Sequence, residues 1–91
     1  MNNNLKNIKI PSVIRIRLLE LQPTYLKIED ESHLHIHHEA GKKGARHFHV
    51  DIVSGIFSGM KMVRQHQLVY DCLKDLIPFP IHALAIRTKS E

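Results

Sequence analysis

What this sequence lacks closes several possibilities at once. It has a single cysteine, Cys72, so no disulfide can form within the chain and no metal or iron–sulfur centre can be built from its thiolates alone. One unpaired cysteine suits a reducing compartment, and a cytoplasmic location is the expectation. Tryptophan is absent, and two tyrosines with three phenylalanines leave little aromatic surface for stacking bases. No apolar run approaches the roughly 20 residues that a membrane-spanning helix needs, and MNNNLKNIKIPS carries no apolar stretch of the signal-peptide kind, so no membrane association is expected. The first nineteen residues hold no acid, a trait shared with organelle-targeting segments, but a frayed polar start is the simpler reading. Paired carboxylates, a nucleophile beside a base and a phosphate-cradling glycine loop are all missing, so an enzyme is not expected.

What is present describes one small domain. Ninety-one residues with 43% apolar content lie near the lower end of what folds on its own core. A net charge of +4 suits an acidic partner or nucleic acid, and speaks to association rather than fold. Residues 1–9 read as a flexible tail and 10–89 as the domain. Pro11 is well placed to open a helix, and Ile10, Val13, Ile14, Leu18 and Leu21 recur at spacings of three and four until Pro23 ends it. From Tyr25 the period falls to two, with Leu26 and Ile28 set against Lys27 and Glu29, which predicts a strand. The loop EAGKKGAR follows, and Phe48, Val50 and Ile52 restore alternation on a second, antiparallel strand whose other face carries His47, His49 and Asp51.

SGIFSG is a turn holding at most one helical turn, and Met62 to Ile77 reads as a helix whose stripe is Val69, Cys72, Leu73 and Leu76, stopped by Pro78 and Pro80. IHALAI is apolar on both faces, as in a strand covered by helices or held within the sheet. The order α-β-β-(short α)-α-β predicts an α/β fold with a three-stranded mixed sheet, its last β–α–β unit long enough for a right-handed crossover. A third strand parallel to the second begins at the same sheet edge, so His82 is carried to the rim of the hairpin loop.

The chain holds eight histidines, six of them between Ser32 and Val50: His33, His35, His37, His38, His47 and His49. Histidine is the commonest metal ligand, and His33, His35 and His37 would share one face of an extended segment. Against this, short histidine-rich tracts are compositional hints, and no zinc spacing of the C-x-x-C or H-E-x-x-H kind occurs. A polar hairpin loop is the plain reading. His82 interrupts an apolar strand, so it must be hydrogen-bonded, placed at the rim, or bound to something. His66, in register with Val69 and Leu73, reads as a packed, hydrogen-bonded ring some 16 Å from the helix end and unsuited to share a site with His82. Cys72, in the apolar stripe, reads as core.

Five stretches, in order along the chain, carry a family resemblance: Asp30-Glu31-Ser32 entering the loop, His47-Phe48, Phe57-Ser58-Gly59, Arg64-Gln65-His66-Gln67-Leu68-Val69-Tyr70, and His82-Ala83-Leu84-Ala85-Ile86. Together they make the chain resemble the BolA family from about Val13 to Thr88. The resemblance implies a fold like the class II K-homology (KH) domain. It also implies a monothiol glutaredoxin partner, which with glutathione bridges a [2Fe–2S] cluster to a BolA-type histidine opening the last strand, matched by His82, and a loop histidine or cysteine. By position after Glu31-Ser32 the loop ligand matches His35, with His37 in reserve.

The expectation is therefore a non-enzymatic adaptor, monomeric when alone and without a cofactor of its own, serving cluster trafficking or iron sensing, with Arg64 and Lys74 meeting acidic groups of the partner. The alternative is a DNA-binding transcriptional regulator using Lys42, Lys43, Arg46 and Arg64. A single-strand-binding KH domain clamps its ligand with G-x-x-G, whereas this chain offers Gly55 and Gly59 at G-x-x-x-G spacing.

Overall fold

The computed structural model describes residues 9–32 and 46–91. Most of the tail 1–9 lies outside them, as do the loop candidates His35 and His37 with their neighbours His33 and His38, and the loop lysines Lys42 and Lys43. Helix α1 spans Ile10–Leu18 with Pro11 in its first turn and Arg15 and Arg17 in its last, where cations complement the helix dipole. A 3₁₀ turn, Leu19–Leu21, extends it to Gln22, which ends it in the left-handed region at φ 52° just before Pro23. Of the stripe that the spacing predicts, Ile14, Leu18 and Leu21 are buried and Ile10 packs against the core, while Val13 is only partly covered.

Strand β1, Tyr25–Asp30, pairs antiparallel with β2, Arg46–Val53, setting Leu26 opposite Ile52 and Ile28 opposite Val50. Ser54 closes β2: its hydroxyl donates to the Leu21 carbonyl and accepts from the Ile56 N–H, which starts a 3₁₀ turn over Gly55–Phe57. Helix α2, Met62–Leu73, follows, with a 3₁₀ extension over Lys74–Leu76. The chain then returns as β3, Ile81–Lys89, parallel to β2. Strand order β1-β2-β3 makes β2 central.

Both helices pack on one face of this sheet. Ile14 and Leu18 of α1, Val69 and Leu73 of α2, Phe48, Val50 and Ile52 of β2, with Leu21, Phe57 and Ile81, form one buried cluster. A polar pair sits within this layer: Thr88 donates to the Gln65 side-chain oxygen, and the Gln65 amide donates to the Met60 carbonyl at 2.9 Å. Each buried group thus has its partner, as burial requires.

Two expectations change. β3 is an edge strand, neither held within the sheet nor covered on both faces. Its second face reads as apolar only because Ala83 and Ala85 are small, and both are exposed. His66 is partly buried, but its Nε2 has no hydrogen-bond partner among the described residues, so the expected bonded ring is not what forms.

Candidate functional site: the open face of the sheet

The face turned away from the helices follows from strand parity and register. Successive rows across it are Glu31, His47 and Ala83, then Glu29, His49 and Ala85, then Lys27, Asp51 and Arg87. Parallel pairing is broken once, between Arg46 opposite Ile81 and His47 opposite Ala83. His82 is the extra residue of this bulge, a device that re-aims a side chain locally. It is exposed, while Ile81 before it is fully buried.

The His82 and His47 ring centroids lie 5.3 Å apart with the planes tilted by 57°. His47 is 7% exposed, its N–H held by the Ser32 hydroxyl at 3.1 Å and its carbonyl by the Glu31 N–H at 2.8 Å. A shallow cleft lined by Glu31, His47, Ala83 and Ala85 opens beside this pair.

The two roots of the loop are tied at the same rim. Arg46 pairs with Asp30 and lies 5.3 Å from the Phe48 ring centroid, its N–H bonds to the Pro80 carbonyl at 2.8 Å, and the Ser32 N–H bonds to Asp30 at 2.9 Å. Burial alone would raise the Asp30 carboxyl, but hydrogen bonds from Ser32 and Arg46 outweigh it and hold the group below the ordinary carboxylate value. Further along the face, His49 Nε2 is 2.9 Å from Asp51 Oδ1, which also faces Arg87 Nε at 3.7 Å. Lys27 stands 3.6 Å from Glu29.

The structure therefore brings His82 to the loop rim, as the topology predicts, and places beside it His47, which sequence reasoning left as an ordinary polar-face residue. The parallel order of β2 and β3 sets their starts side by side, but only the register and its shift at His82 bring the two rings together. Arg46 is engaged with Asp30. Arg64 and Lys74 are both exposed, near opposite ends of α2 and about 15 Å apart along it. Cys72 packs against the core, and its thiol is pushed up by burial, with Glu20 and Asp71 adding to the effect. Three of the five aromatics, Tyr25, Tyr70 and Phe79, are exposed, more than expected.

The BolA-like protein family model matches residues 19–91. The chain belongs to the BolA-like family. Among curated BolA relatives, protein BOLA1, chloroplastic, of Arabidopsis thaliana is 45% identical over 75 residues, covering 78% of this chain and 46% of that protein. The DNA-binding transcriptional regulator BolA of Haemophilus influenzae is 43% identical over 67 residues, 74% of this chain and 62% of the relative. The chain thus spans less than two thirds of the length of either. Among solved structures, the BolA domain of SufE1 from Arabidopsis thaliana superposes with a TM-score of 0.78 at 38% identity, covering 91% of this chain and 93% of that one. The α-β-β-α-β order with a three-stranded mixed sheet is accordingly the BolA fold. Among the described residues no helix is long and apolar enough to cross a membrane.

Proposed function

We propose that this BolA-like chain is a non-enzymatic adaptor that binds a monothiol glutaredoxin and completes a shared [2Fe–2S] site through His82 and a loop histidine, His35 or in reserve His37. The observation that supports this reading most is the bulge at His82, which turns an imidazole out of a strand whose preceding residue is in the core. The donor set fits a shared group. The chain's single thiol is packed against the core and imidazoles gather at one rim, which is compatible with the partner and glutathione thiolates that the BolA resemblance implies. When bound, such a group supplies electron storage, and imidazole in place of thiolate raises its potential. His47 buttresses the His82 ring, and the Asp30–Arg46 pair fixes the loop roots on either side. The adaptor acts as a monomer in a reducing compartment, the cytosol being the one its single cysteine suits.

Mixing the protein with glutaredoxin, glutathione and reconstituted cluster should shift visible absorption and circular dichroism, and His82→Ala should abolish the shift. Spectra indifferent to the mixture or to the substitution would sink the reading.

A second reading, a DNA-binding regulator, is supported by the name of the Haemophilus influenzae relative and by the exposed cationic Arg64. Counterion release predicts duplex affinity falling steeply with salt, and no binding at low salt removes it.

A further inference from the structure

Spanning the row of His47 and the next row along the open face lies a group of side chains that the cluster reading does not use. Register sets Glu29 directly opposite His49, and Glu31, two residues on, shares their face. One potential ligand atom from each of Glu29, Glu31 and His49 lies within 4.8 Å of the others. Around a cation with bonds of about 2.1 Å, ligand atoms stand about 3 Å apart at right angles and about 4.2 Å apart when opposed. Closing the three onto one ion therefore needs only small movements of the two long carboxylate side chains.

The chemistry of the surroundings favours a cation. The Asp51 carboxylate only accepts hydrogen bonds, so in the 2.9 Å contact His49 Nε2 is the donor, and Nδ1 is the ring nitrogen that can turn a lone pair to a cation. A carboxylate fixing a ligating histidine in this way is the usual outer support of a metal site. Lys27, at 3.6 Å, answers only Glu29. The Glu31 carboxylate is half-buried, and among the described residues no cation or hydrogen-bond donor is paired with it.

We propose that Glu29, Glu31 and His49, backed by Asp51, bind a divalent first-row cation such as Mn²⁺ or Zn²⁺ at a site separate from His82. Two carboxylates and one imidazole suit such ions, whereas a tract of histidines alone is a poor match for Mn²⁺. The site stands independently of whether His82 takes part in a cluster.

That preference makes Mn²⁺ the discriminating probe. In a variant combining H33A, H35A, H37A, H38A and H82A, loss of the free Mn²⁺ electron paramagnetic resonance signal should still report one ion per chain. Amide resonances of residues 29–31 and 49 should broaden first. In that background Glu31→Gln or His49→Ala should weaken binding at least about tenfold, and Asp51→Asn by roughly tenfold, with far-ultraviolet circular dichroism unchanged. Absence of stoichiometric binding, binding indifferent to Glu31→Gln and His49→Ala, or broadening centred on another part of the chain would each overturn the proposal.

Discussion

The two faces of β2 share one backbone and differ in almost everything else. Phe48, Val50 and Ile52 point into the layer beneath the helices and are at most 2% exposed, while His47, His49 and Asp51 face outward between Glu29, Glu31, His82 and Arg87. The covered face carries most of the burial that holds a chain of this size together. Among the described residues no helix covers the open face, and its polar groups meet one another in pairs: His47 with His82, His49 with Asp51, Lys27 with Glu29. A single strand thereby separates stability from chemistry by parity alone, and substitutions one residue apart should have effects of different kinds.

The sharpest test is the adjacent contrast at positions 48 and 49. Phe48→Ala should lower the unfolding free energy by about 3–5 kcal/mol, enough to threaten folding in so small a domain, whereas His49→Ala should cost less than about 1 kcal/mol in the same urea titration. Equal losses would break the division between the faces. Thr88→Val comes next: it leaves the Gln65 side-chain oxygen buried without its donor, and should cost about 1–3 kcal/mol although the two side chains have the same shape.

Acid should reveal the rim. The Asp30 carboxyl, lowered by Ser32 and Arg46, stabilises the fold above its unfolded value near 3.9. That contribution disappears as pH falls from about 4 through the lower folded value, and Arg46→Met should flatten this part of the stability curve. Asp75, lowered chiefly by its hydrogen bond from Arg17, behaves in the same direction, but it is exposed and should contribute less. The smallest effect concerns Cys72: with its thiol raised by burial, alkylation near neutral pH should run slower than for a free thiol, and Cys72→Ala should leave the His82 chemistry intact.

Periodicity made most of the fold legible. The stripe Ile14, Leu18, Leu21, the alternation of Leu26 and Ile28, and that of Phe48, Val50 and Ile52 each announce one buried face, and each is buried or packed against the core as read. Helix α2 gave its Val69 and Leu73 in the same way, but not Gln65, whose burial depends on finding Thr88 across the crossover. IHALAI misled because alanine looks apolar yet tolerates water, so hydropathy alone cannot tell an edge strand from a central one. His82 was legible from topology. Its neighbour His47 and the group Glu29, Glu31 and His49 were not, because each depends on register. Counting along the chain across a loop cannot fix register when the loop length does not dictate the turn.

The bulge at His82 also works as a gear. Between Ile81, in the core, and Leu84, which packs against it, the strand spends two residues on the outer side instead of one. Deleting or inserting one residue there must rotate either the hydrophobic anchor or the histidine, so the two cannot be repositioned independently. A load applied to the His82 ring is passed to Ile81 and so to the packed layer. Whatever pulls on that histidine therefore pulls against the whole domain.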